Sequence, residues 1–153
     1  MPDIVKASEL PSLAGQEIEP SSWLEITQER VNAFADATND HQFIHIDEEK
    51  AAKTPFRSTI AHGFLTLSLV PFLTAEKARK VEDLVMGINY GSDKVRFLQP
   101  VRVGSRIRAR QVLIEATEKK PGQWLTRTEV TIEIEHQEKP AVIAEILAML
   151  IVK

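Results

Sequence analysis

The spacing of apolar residues changes partway along this chain. From Ile60 to Ala75 the run IAHGFLTLSLVPFLTA carries Phe64, Leu65, Leu67, Leu69, Val70, Phe72 and Leu73, with only Thr66, Ser68 and Thr74 as polar breaks beyond His62. A helix apolar nearly all round belongs inside a protein, so this stretch is expected to be the buried axis. Pro71 removes the hydrogen bond to the Leu67 carbonyl and predicts a bend near that turn. The run is too short and too interrupted for a membrane span. Strand alternation takes over beyond the charged segment Glu76 to Asp83. Leu84, Met86 and Ile88 alternate, Val95 and Phe97 resume, and Gly91-Ser92-Asp93 between them reads as a bulge or turn. Ile107 and Ala109 share one phase while Val112, Ile114 and Ala116 share the other, which predicts an irregularity near Arg110-Gln111. After a hairpin connection at Lys120-Pro121-Gly122, Trp124 to Glu135 alternates cleanly as a half-buried strand. Ala141 to Val152, apolar except for Glu145, reads as a central strand covered on both faces.

The first part of the chain is less regular. Residues 1–15 predict a loop or short surface helix, and Gln16 to Ile26 an irregular or edge strand. Thr27 is placed to cap a helix carrying Val31, Phe34, Ala35 and Thr38 at helical spacing, and Asn39 suits its left-handed end. Asp40 to Ile46 is expected to be loop, and Asp47 to cap a short helix, Glu48 to Lys53. Long antiparallel strands following one apolar helix describe an α+β fold in which the sheet curls around that helix. The open edges of such a sheet predict pairing with a second copy in a two-fold homodimer.

Composition narrows the function classes. A length of 153 residues with 43% hydrophobic content predicts one domain with its own core, spanning residues 1–153. The net charge of −3, with both signs mixed along the chain, supplies no basic face for nucleic acid. There is no cysteine, hence no disulfide or thiolate metal site, and the N-terminal MPDIVKASEL lacks an export-signal pattern. Cytoplasm is the expected location, with no membrane partner.

His41, His45 and His62 cluster near Asp40 and Asp47, and that clustering is the main chemical clue. Three readings fit the residues. Asp40 could close an Asx turn while His45 is a satisfied histidine among Phe43, Ile44 and Ile46. A metal could be held by His41, His45, Asp47 and His62, although their spacing matches no recognised metal motif. Or Asp40 and His45 form an acid/base pair: an Asp with an ordinary pKa of about 3.9 and a His of about 6.5 give one ionised group and one poised to exchange protons near neutrality. Gly63, at a helix start, could then aim a backbone N–H at a carbonyl oxygen that becomes anionic, with no side chain to hold the substrate off.

The run Asn39-Asp40-His41-Gln42-Phe43-Ile44-His45, followed by Ile60-Ala61-His62-Gly63-Phe64, resembles the hydratase motif of the MaoC-like dehydratases, the (R)-specific enoyl-CoA hydratases with a hot-dog fold. Ile88-Asn89-Tyr90-Gly91, Lys94-Val95-Arg96-Phe97, Pro100-Val101 and Val103-Gly104-Ser105-Arg106 are similar to the nodulation protein N-like subgroup. The resemblance implies reversible hydration of a trans-2-enoyl thioester, carried by coenzyme A or acyl carrier protein, to the (R)-3-hydroxyacyl thioester, without metal or redox cofactor. It gives Asp40 and His45 the catalytic positions and Gly63 the oxyanion hole. Ile60, Ala61, His62, Asn89 and Arg96 are expected at the substrate, and Lys94, Arg96 or Arg102 at coenzyme A phosphates. A hot-dog thioesterase and a non-catalytic acyl-binding protein are the alternatives. Three departures stand out: Asn39 replaces the family's usual glycine, Gln42-Phe43 replaces its Asn-Pro, and a supporting serine falls at Pro71 unless Ser68 substitutes.

Overall fold

Local capping sets the first half of the fold. In the computed structural model, which describes residues 3–153, β1 (Ile4–Val5) leads into a 3-10 helix (Ala7–Leu13) and β2 (Leu24–Glu25). The Thr27 hydroxyl accepts the Arg30 N–H and starts α1 (Gln28–Thr38). Asn39 ends that helix at φ 58°, the left-handed conformation that asparagine tolerates. Asp40 to Ile46 is not all loop, because Phe43–Ile46 forms a one-turn helix, α2. Asp47 then caps α3 (Glu48–Ala51) by accepting the Lys50 N–H.

The expected buried axis is two helices, α4 (Gly63–Ser68) and α5 (Val70–Ala75). Pro71 lies in the first turn of α5, where a missing N–H costs no intrahelical bond, so the proline starts a helix instead of bending one. Leu65, Thr66, Leu69, Val70 and Leu73 are buried, but Phe64 and Phe72 are 68% and 65% exposed. The axis is therefore covered on one side and bare on the other.

After β3 (Lys80–Val81), which pairs in parallel with β1, four long strands follow: β4 (Leu84–Phe97), β5 (Arg106–Lys120), β6 (Gln123–Ile134) and β7 (Val142–Val152). With β2 they make an antiparallel sheet in the order β2-β5-β6-β7-β4. Inward residues such as Ile107, Val130, Ile132 and Val142 form one cluster with Leu65, Leu69, Val70 and Leu73, so the sheet curls about the helix pair in the hot-dog arrangement. Each such side chain contributes about 1.5–3 kcal/mol by leaving water. Ala7, Leu10, Leu113, Ala116 and Trp124 form a second cluster under the 3-10 helix.

Two strand readings are corrected. The irregularity in β5 falls at Leu113/Glu115 and not at Arg110-Gln111. Gln111 keeps the inward phase, buried, with its amide donating to the Thr74 carbonyl. β7 is central in the sheet, but its second face is only half covered, and there Glu145 joins Lys94 and Arg127 in ion pairs. β4, at the sheet edge, exposes Leu84, Val85, Met86, Ile88, Tyr90 and Phe97. Register shifts at Asn89/Gly91 and Asp93/Arg96 bracket the bulge expected around residues 91–93.

Candidate active site

Three chain segments bring the chemistry together. The end of α1 delivers Asp40, whose N–H bonds the Ala35 carbonyl and whose carboxylate accepts the Gln42 N–H at 3.4 Å. The turn α2 delivers His45, and the start of α4 delivers His62 and Gly63. One carboxylate oxygen of Asp40 and one ring nitrogen from each of His45 and His62 all lie within 4.8 Å of one another. His41, by contrast, turns outward to Asp36, with Nε2 2.8 Å from Oδ1. Asp47 is occupied as the α3 cap.

The tautomer of His45 follows from its surroundings. Its Nδ1 lies 2.7 Å from the Ile60 carbonyl, which can only accept, so Nδ1 carries the hydrogen and Nε2 presents a free lone pair. Burial pushes the imidazole below its ordinary pKa range; the Ile60 bond opposes this, the neighbouring His62 ring adds to it, and the Asp40 charge opposes it weakly. Near neutrality His45 is thus an unprotonated acceptor beside a carboxylate. Separations under 5 Å are those that one water, bonded to each group at about 2.8 Å, can bridge.

The same three residues make a poor metal cage. The His45 and His62 rings are stacked, with centroids 3.8 Å apart and planes at 23°, so their in-plane lone pairs run side by side. An ion about 2.0–2.1 Å from both nitrogens would stand far out of both ring planes.

A cavity of about 220 Å³ opens beside the pair, lined by His45, Ile60, Ala61, Gly63, Thr66 and residues from Phe97 to Val101. Gly63 is the first residue of α4, where the N–H has no intrahelical acceptor. A Cβ there would stand 2.9 Å from Phe97 Cδ1, so glycine is what lets the Phe97 ring close over this point. Of the expected substrate contacts, Ile60 and Ala61 line this cavity, whereas His62 is 3% exposed and lies behind it. Asn89 belongs to a separate cavity with Ser68 and Pro71, and the Arg96 guanidinium folds back on the Val95 carbonyl. Ser68 donates to the Phe64 carbonyl one turn back, away from the pair. Lys94 pairs with Glu145, and Arg102 Nε donates to the Phe56 carbonyl.

One support has no counterpart in the motif reading. Gln28 Nε2 donates to the His45 carbonyl at 2.7 Å and to Asn32 Oδ1 at 2.9 Å, while its Oε1 accepts the Thr59 hydroxyl at 2.5 Å. A single half-buried amide thereby ties α1 to α2 and to the segment leading into Ile60. Its only sequence signal is its place directly after the Thr27 cap.

Comparison with known proteins agrees with this architecture. Residues 9–138 match the family model described as MaoC like domain. The chain is 46% identical to nodulation protein N of Rhizobium meliloti over 95% of this chain and 91% of that one. It is 47% identical to 3-hydroxyacyl-thioester dehydratase Z of Mycobacterium tuberculosis, over 90% and 91% respectively. Among solved structures, the (R)-hydratase from A. caviae involved in PHA biosynthesis superposes with a TM-score of 0.72 at 26% identity, covering 88% of this chain and 94% of that one.

Proposed function

The chain belongs to the family of MaoC-like domains, and on that premise we propose that it is a hydro-lyase adding water reversibly across a trans-2-enoyl thioester to give the (R)-3-hydroxyacyl thioester. The observation that carries this reading is a ring nitrogen of a buried, unprotonated His45 within a water's span of an Asp40 carboxylate oxygen, with Nε2 left as the acceptor by the Nδ1 bond to Ile60. Asp40 holds one hydrogen of the water and His45 Nε2 takes the other as the oxygen bonds to C3. The imidazolium then returns that proton to C2, so both residues end as they began. General acid/base help of this kind is worth about 10²- to 10⁴-fold. The Gly63 N–H polarises the thioester carbonyl as charge moves onto its oxygen, a contact worth roughly 10²- to 10³-fold. No step calls on a metal or redox cofactor. The acyl chain enters the cavity lined by Ile60, Ala61 and Thr66, and the thioester carrier is coenzyme A or acyl carrier protein.

The working unit in this reading is a two-fold homodimer. Supporting it are an edge strand, β4, that exposes Leu84, Val85, Met86, Ile88 and Tyr90, and the bare Phe64 and Phe72 of the helix pair. We place the enzyme in the cytoplasm, consistent with a sequence holding no cysteine; among the described residues no helix is long and apolar enough to cross a membrane.

The test is incubation with crotonyl-CoA and longer 2-enoyl-CoAs. Loss of the enoyl absorbance with an (R)-3-hydroxy product is expected, abolished in Asp40→Asn and His45→Ala. Thiol release with the enoyl group intact would make the protein a thioesterase and overturn the proposal.

A further inference from the structure

His62 is placed too deep to meet substrate, yet it touches each part of the pair. Its ring is 3% exposed and is sandwiched between His45, stacked at 3.8 Å, and Phe34, tilted at 4.9 Å. Nε2 lies 3.0 Å from the Asp40 backbone carbonyl and 3.9 Å from its carboxylate. A carbonyl only accepts, so the hydrogen sits on Nε2 and the ring donates to Asp40. Nδ1, left as an acceptor, is buried without a partner. A buried polar atom with no partner is destabilising, and leucine or phenylalanine at this position would avoid that cost. A histidine retained there is explained by what its other nitrogen does.

The need for that tether follows from the loop it serves. Asp40 follows the left-handed Asn39 and is exposed, and among the described residues its carboxylate accepts one hydrogen bond, the long one from the Gln42 N–H, with His62 Nε2 at 3.9 Å beyond it. Nothing else among the described residues joins the Asp40 carbonyl to the rigid start of α4, while the His45 ring is held from its own side by Ile60.

We propose that His62 is a positioning residue: its Nε2–H tethers the Asp40 backbone while its ring face fixes the plane of His45, so that carboxylate and imidazole stay within reach of one water. This rests on the hydratase reading of the pair but makes a claim of its own about the loop. His62→Phe keeps a ring for stacking and removes the donor; His62→Gln keeps an N–H of similar reach. His62→Phe should lower kcat about 10- to 100-fold with KM changed less than about threefold, the range expected from misplacing one catalytic group by an ångström or less. His62→Gln should recover most of that loss. Equal kcat for wild type and His62→Phe, or equal losses in folded His62→Phe and His62→Gln, would overturn the tether.

A readout independent of turnover separates this from failure of the hydratase reading. Backbone NMR order parameters at Asp40 and His41 should drop from the rigid value of about 0.85 toward about 0.6 in His62→Phe and stay high in His62→Gln. Unchanged values in His62→Phe would sink the proposal whether or not the wild type hydrates crotonyl-CoA. Should His62→Phe not fold, order parameters at these residues in His62→Gln decide alone, and flexibility there with the amide present refutes the tether.

Discussion

Replacing Gln28 by alanine tests how the site is held together. The change deletes three hydrogen bonds, of which the one to exposed Asn32 is readily replaced by water. The other two partners are the His45 carbonyl and the Thr59 hydroxyl, in residues only 6% and 2% exposed. Each lost bond between partly buried groups costs about 1 kcal/mol, rising toward about 3 kcal/mol where the partner is left dry. The expected destabilisation is therefore about 2–3 kcal/mol, which for a chain of this size lowers Tm by about 5–10 °C. The same bond anchors α2, so kcat should fall about tenfold as His45 gains freedom. Thr59→Val removes one of the two contacts and should cost roughly half as much. Adding it to Gln28→Ala should cost almost nothing further, because the hydroxyl has already lost its acceptor. Thermal unfolding and enoyl-CoA hydration, measured on the two single variants and the double, make a complete cycle. A Gln28→Ala variant within about 0.5 kcal/mol of wild type, or losses that simply add, would refute the clamp.

Three further outcomes are expected. Gly63→Ala drives a Cβ into Phe97; the half-exposed ring can swing aside, so stability should change by less than about 1 kcal/mol, while kcat/KM falls and Phe97→Ala restores part of it in the double variant. The pKa of His45 is depressed on folding, so the unfolded chain binds the extra proton first as pH drops; the stability held above about 6.5 should decline as pH falls below that value, and His45→Ala should flatten the trend, while kcat/KM should hold to lower pH and fall only where the folded imidazole itself takes a proton. Ile88→Asp places a charge on the apolar face of β4; if the proposed homodimer pairs through this face, analytical ultracentrifugation should find a dimer for the wild type and a monomer for the variant.

Local signals were the most readable in this chain. The Thr27 cap and the Asn39 terminus are set by neighbouring residues, and both bounds of α1 follow from them. The Asp40, His45 and Gly63 positions are carried by two short motifs in a fixed order, and the folded chain brings them together. What escaped depends on distant partners. Gln111 looks like a break in alternation because glutamine is polar, and only the Thr74 carbonyl makes its burial tolerable. Phe43–Ile46 has the composition of a strand, yet its turn is held by an amide from α1. Ser68 sits at plausible spacing for the site, but its hydroxyl is satisfied within its own helix. The run from Ile60 to Ala75 is apolar nearly all round, and its pattern alone cannot separate a side facing the sheet from a side left for another molecule.

Phe97 ends β4 and also walls the cavity beside His45. In the proposed homodimer a residue shared in this way would couple two equilibria: a partner covering β4 that moved Phe97 would alter the room for an acyl chain, and the bound chain would bias that covering by the same factor. If the proposed homodimer is what covers β4, dilution becomes a variable of catalysis, and the affinity measured for a thioester should depend on how much protein is in the tube.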